Sequence, residues 1–221
     1  MRLRWVHLEY LEAGADVLVT SSYQPVISSG PQEKRKSGHN YNRALVAASI
    51  GSYGAYLADG SEYSGNYGTN ITLEKLKDFH RRRLQVLVEA GPDLLAFETM
   101  PNKLEAQACV ELLDEENVSI PSWFCFSTVD GVNVSSGESF EECLDVINKS
   151  SKRTAKAIVV YPNSGETWDG TAKTWQPSKC VHDEFELLAT TWRDAGAKLI
   201  GGCCRTTPST IRSISRVVKD T

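Results

Sequence analysis

Apolar residues along the chain fall into two patterns. Three stretches carry them at helical spacing: Leu3, Val6, Tyr10 and Ala13; Leu73, Leu76, Phe79 and Leu87; Phe185, Leu188, Trp192 and Ala195. Each is the stripe of a helix with one buried face. Each stripe runs into the same kind of junction: Glu12-Ala13-Gly14-Ala15-Asp16, Glu89-Ala90-Gly91-Pro92-Asp93 and Asp194-Ala195-Gly196-Ala197-Lys198. The glycine suits the left-handed position just past a helix end. Short apolar runs follow at 17–19, 93–97 and 198–200, as in strands buried in a parallel sheet. The same reading predicts strands over 45–50, 122–126 and 157–161 and helices over 103–115, 139–150 and 208–218. Thr207-Pro208 opens the last helix, with proline in the first turn.

Strand and helix in alternation predict an α/β protein with right-handed crossovers. A closed (β/α)8 barrel needs eight strands and typically ~250 residues, whereas an open doubly wound sheet needs five or six. Six strands are countable here, so the pattern alone leaves both open. With 221 residues, 41 % hydrophobic and 24 % charged, the chain suits one domain, or at most two small ones. A net charge of −4 disfavours binding to nucleic acid or an anionic membrane. No apolar run approaches the ~20 residues that span a bilayer. His7, Glu9 and Glu12 break the basic N-terminal stretch, which excludes it as a secretory signal. The expected setting is cytoplasmic and reducing. The six cysteines, Cys109, Cys125, Cys143, Cys180, Cys203 and Cys204, then read as metal ligands or buried thiols rather than as disulfides.

The repeated junction supplies a register. Seven residues after each glycine stand Ser21, Glu98 and Cys203. If the units are equivalent, all three lie at the carboxyl ends of their strands, where both architectures bind ligands. The strongest local motif is Gly201-Gly202-Cys203-Cys204-Arg205-Thr206-Thr207-Pro208. Its vicinal thiols suit zinc when ionised, and equally suit plain burial. Glu98 closes an apolar strand and suits a substrate ammonium group, or else a cap. The segment 51–68, rich in glycine and tyrosine, is a long loop after a strand, a length usually tied to function. Tyr161-Pro162-Asn163-Ser164-Gly165-Glu166 turns another strand end and adds Asn163 and Ser164. His80-Arg81-Arg82-Arg83 reads as a solvated helix face, and His7, His39 and His182 have no ligand-like spacing.

The cysteine motif, the 51–68 loop, Phe97-Glu98-Thr99 and the 161–166 turn together resemble the homocysteine S-methyltransferases of the plant type. The similarity runs over nearly the whole chain. That resemblance implies a TIM-type (β/α)8 barrel, incomplete here at about six strands, as a single homocysteine-binding domain over 1–221. It implies zinc as cofactor, homocysteine as acceptor and S-methylmethionine or S-adenosylmethionine as methyl donor. By motif, Cys203 and Cys204 are two zinc ligands, and Glu98 holds the homocysteine amino group. Ser21, Tyr53, Asp59 and Asn163 are further substrate-pocket candidates, and no catalytic residue is assigned beyond the metal ligands.

Three features depart from the family pattern. The chain begins on a helix, without the family's first strand. Pro25-Val26-Ile27-Ser28-Ser29-Gly30-Pro31 stands where the family has a helix. The helix near Ser139 runs almost directly into Lys152-Arg153-Thr154-Ala155-Lys156, without the strand that carries the third zinc cysteine. Cys143 lies nearby but reads as a helix residue. The alternative function is therefore a non-catalytic relic or a regulatory partner of the full-length enzyme.

Overall fold

The structure is a computed structural model that describes residues 2–23, 44–128, 130–149, 157–169, 172, 174–176 and 184–219. The 25–31 and 152–156 stretches, His39, Cys180 and His182 lie outside the described residues. The chain divides into two compact units. One comprises Met1–Leu18, Asn42–Ala44 and Ala155–Thr221, and the other Val19–Tyr41 and Leu45–Thr154.

In the second unit, parallel strands β2 (Leu45–Gly51), β3 (Leu94–Met100) and β4 (Ser122–Phe126) form a sheet in that order. Residues 19–22 run along the outer edge of β2, where the Thr20 N–H reaches Ala47 O at 2.9 Å. Helices α3 (Leu73–Glu89) and α4 (Lys103–Glu115) cover one face of the sheet. Ala48, Ile50, Leu95 and Phe97 pack there against Leu84, Cys109 and Leu112. Phe97 stacks on Phe124 at 4.6 Å between centroids. Because side chains alternate along a strand, the opposite face receives Ala47, Ser49, Gly51, Ala96 and Glu98. Helix α5 (Phe140–Asn148) follows β4 and is capped by the Ser139 hydroxyl.

In the first unit, β5 (Ile158–Val160) pairs in parallel with β8 (Ala197–Ile200). Helices α6 (Glu184–Asp194) and α7 (Pro208–Lys219) pack together through Phe185, Ala189 and Ile214. Helix α1 (Arg2–Glu12) joins α7, and Tyr10 donates its hydroxyl hydrogen to Thr206 O at 2.8 Å. Gly14 ends α1 with φ +102°, and a Cβ there would lie 2.4 Å from Ser215 Oγ. Glycine at this junction thus answers both a backbone requirement and a close approach.

All six predicted strands are present, with β1 (Val17–Val19) the first of them. Two corrections follow. A short antiparallel hairpin, β6 (Thr167–Asp169) and β7 (Thr174–Gln176), was not predicted. Segment 51–68 is also more regular than a loop. It contains α2 (Tyr53–Leu57), capped by Ser52, and a 3-10 turn over Ser61–Tyr63. The parallel α/β organisation is shown; a closed barrel is not.

Candidate functional site

The vicinal cysteines sit on a turn held by its own backbone. Cys203 N–H donates to Pro162 O at 2.9 Å. Cys204 N–H donates to Asn163 Oδ1 at 3.2 Å, and Ser164 N–H to Cys204 O at 3.0 Å. Thr206 returns both its N–H and its hydroxyl to Cys203 O. Arg205 adopts φ +65° and pairs with Glu166. A Cβ at Gly202 would lie 2.5 Å from Thr206 Oγ1, so glycine alone lets this turn close. Asn163 is therefore beside the cysteine pair, and its side chain fixes the Cys204 backbone.

Both thiols are exposed, with their sulfurs 3.9 Å apart. Two thiolates on one tetrahedral zinc, each ~2.3 Å from the metal, lie ~3.8 Å apart, so the pair fits zinc as two of its ligands. Among the described residues, no group of three His, Cys, Asp or Glu is placed to hold a metal ion. Cys143 is buried on α5, as a helix residue.

The Cys203 thiol beside Cys204 pulls the latter down to about 6. Burial pushes Cys143 up to about 11 and drives Cys109 well above its ordinary range. The thiolate is the reactive form. In chelator-treated protein, iodoacetamide is therefore expected to label Cys203 and Cys204 before Cys109 and Cys143. Labelling of Cys204 should rise with pH through about 6 as its thiol ionises. Peptide mass mapping after brief labelling measures this, and preferential labelling of Cys109 or Cys143 would contradict the geometry.

Glu98 lies in the second unit. It is a buried residue within β3, in register with Gly51, the last residue of β2. The strand continues past it through an irregularity: Thr99 takes φ +56°, and the β3–β4 register slips between Phe97 and Met100. Equal spacing from the glycines therefore does not mean equal height on the strands. Ser21 lies two residues past the end of β1, Cys203 three past the end of β8, and Glu98 two before the end of β3. The face that Glu98 shares with Ala47, Ser49, Gly51 and Ala96 also carries Trp123, in register with Ala96, and at Gly51, opposite Glu98, the Tyr23 carbonyl and ring stand where a Cβ would be. Burial pushes Tyr23 up to about 12 against a hydrogen bond with Thr99, and the nearby carboxylates Glu62 and Glu98 add to the rise. Tyr23 thus lies near both Glu62 and Glu98, and sequence reasoning missed Tyr23 and Glu62.

The weaker candidates separate. Tyr53 opens α2, and its ring stands edge-on to Tyr67 and Phe79 at 5.3 and 5.0 Å. Asp59 is exposed and accepts from Ser61 N–H at 2.9 Å; the Ser61 hydroxyl and, after it, this N–H hold its carboxyl below the usual range. Ser21 is exposed, whereas its neighbour Ser22 bonds to Ser49 O at 2.7 Å.

The reading of residues 80–83 as a solvated face holds at the exposed Arg82 and is corrected at His80 and Arg83. His80 is fully buried and bonds to Glu105 Oε1 at 2.8 Å. Arg83 donates to Gly51 O at 3.0 Å and Tyr23 O at 3.2 Å. It thereby clasps the two chain segments whose approach excludes any side chain at Gly51, where a Cβ would lie 2.2 Å from Tyr23 O. His80 falls four residues from both Leu76 and Leu84, so the helical stripe itself was the signal for its burial.

Comparison with known proteins gives this geometry a context. The homocysteine S-methyltransferase family model matches residues 2–155 and 142–218. Homocysteine S-methyltransferase 1 of Brassica oleracea var. italica is 60 % identical over 270 residues, covering 98 % of this chain and 83 % of that protein. Homocysteine S-methyltransferase 1 of Zea mays is 55 % identical over 267 residues, covering 97 % and 83 %. Since the first alignment is 270 residues long and this chain has 221, about fifty positions of that relative have no counterpart here. The metallated crystal form of the homocysteine methyltransferase MmuM from Escherichia coli superposes with a TM-score of 0.69 at 29 % identity, over 96 % of this chain and 83 % of MmuM. Its oxidised form gives 0.74 at 32 %, over 96 % and 82 %. The chain belongs to the homocysteine S-methyltransferase family.

Proposed function

We propose that this chain transfers a methyl group from a sulfonium donor, S-methylmethionine or S-adenosylmethionine, to the sulfur of homocysteine, yielding methionine. The observation that carries this reading is the exposed Cys203–Cys204 pair, with its zinc-compatible spacing of 3.9 Å on a backbone fixed by Pro162, Asn163 and Thr206. Zinc, when bound, supplies the acidity that keeps an alkyl thiol, with a pKa near 8.5, ionised at pH 7. Cys203 and Cys204 would hold it. Glu98 binds the acceptor's ammonium group. Ser21, Tyr53 and Asp59 are pocket residues in this reading, and Asn163 supports the Cys204 backbone. The acceptor sulfur forms the new S–CH3 bond as the donor S–CH3 bond breaks. The bonding pair stays on the donor sulfur, which becomes a neutral thioether, so no general acid is needed there. The thiol proton passes to solvent.

In this reading residues 1–221 act as a single homocysteine-binding domain in the cytoplasm, with no nucleic-acid or membrane partner. No helix among the described residues is long and apolar enough to cross a membrane. The 60 % identity to an enzyme of this activity favours catalysis over a relic or regulatory role. Purified, zinc-supplied chain is expected to form methionine from homocysteine with at least one of the two donors, measured by mass spectrometry. Absence of methionine with both would overturn the proposal.

A further inference from the structure

Glu105 stands in the first turn of α4, where its N–H donates to the capping Asn102 Oδ1 at 2.8 Å. A glutamate three residues after such a cap commonly turns back to it. This one points inward and is fully buried. Its Oε1 accepts from the Tyr53 N–H at 2.5 Å and from His80 Nε2 at 2.8 Å, and its Oε2 accepts from the Tyr67 hydroxyl. A buried carboxylate is costly unless donors meet its oxygens. Here the donors come from the start of α2, from the middle of α3 and from the segment beyond the 3-10 turn. Burial and the neighbouring Glu105 push Tyr67 well above a free tyrosine, so its hydroxyl keeps the proton it donates. Phe79 fills the space between, 5.0 Å from Tyr53 and 4.8 Å from the His80 ring.

The tether lies next to the candidate site. Gly51, in register with Glu98, is two residues before Tyr53. Fixing Tyr53 N–H fixes where segment 52–68 leaves the sheet, and that segment carries Glu62, which lies near Tyr23, itself packed against Gly51 opposite Glu98. We infer that Glu105 is a positioning residue, locking segment 52–68 to α3 and α4 so that the acceptor-binding side of Glu98 keeps its shape. This assignment rests on the methyltransferase reading.

Steady-state kinetics of the full chain with homocysteine test it. Glu105→Ala is expected to raise KM for homocysteine about tenfold or more, with kcat within about threefold of wild type. Glu105→Gln, which keeps an acceptor for Tyr53, is expected to restore KM to within about threefold. Tyr67→Phe removes one tether and leaves the carboxylate, and is expected to give an intermediate rise; it decides the matter if Glu105→Ala does not fold. A purely structural role would lower the active fraction, and so apparent kcat, at constant KM. Unchanged KM in the folded variants, with wild type turning over, overturns the assignment alone. A wild type that methylates no homocysteine overturns the functional reading as well.

Discussion

Replacing Cys203 and Cys204 together by serine is expected to lower methyl transfer by on the order of 10³-fold while leaving the fold intact. The rate effect follows from acceptor chemistry. Without a metal, an alkyl thiol is mostly protonated at neutral pH and loses most of its nucleophilicity. The intact fold follows from position. Both side chains are exposed and lie outside the apolar clusters, and their structural work is done by backbone N–H and C=O groups that serine retains. Exposed substitutions of this kind usually change stability by less than about 0.5 kcal/mol. Initial rates of methionine formation, read beside a thermal melt, separate the two effects. A folded double variant with more than about a tenth of wild-type rate would show that the pair does not carry the chemistry.

Glu98→Gln is expected to raise KM for homocysteine roughly 30-fold or more. Glutamine preserves the shape of the strand end but removes the charge. Breaking a buried, hydrogen-bonded charge pair costs about 2–5 kcal/mol, which is at least a 30-fold change in affinity. Glu98 meets the conditions for such a pair: it is buried, and the β2–β3 register fixes its place opposite Gly51. An acceptor analogue that lacks the amino group makes no such pair, and its KM should move little in the variant. Equal losses for homocysteine and the analogue would point instead to a general disturbance of β3.

The sequence carried much of this architecture because it repeats. A 3–4 apolar stripe, a glycine past the helix end and a short apolar run recur three times, and each recurrence is a helix and a strand in the structure. The pair β6 and β7 escaped because Thr167-Trp168-Asp169 and Thr174-Trp175-Gln176 lack the continuous apolar run that marks the equally short β1 and β5. Helix α2 escaped because its five residues make little more than one turn, too few for a 3–4 stripe to repeat. The error at His80 was of another kind. Three consecutive arginines drew attention to charge, although His80 lies on the stripe with Leu76 and Leu84. Glu105 was hidden by a sufficient local explanation, since Asn102 and Glu105 have the spacing of a capping box. Its three donors are 52, 25 and 38 residues away, contacts that no local pattern reports. The cysteine turn was legible because glycine, cysteine and proline each have a distinct backbone or chemical meaning there. The place of Glu98 near the end of a strand was legible from the apolar run before it, but the strand's continuation to Met100, with the left-handed Thr99 inside it, was not.

The central claim is that Cys203 and Cys204 hold the metal on which methyl transfer depends. Elemental analysis of zinc in purified, reduced protein, beside the Cys203→Ser/Cys204→Ser variant, tests it most directly. About one zinc per wild-type chain and almost none in the variant are expected. Wild-type protein almost free of zinc after purification in its presence, or a variant that keeps its zinc, would contradict it.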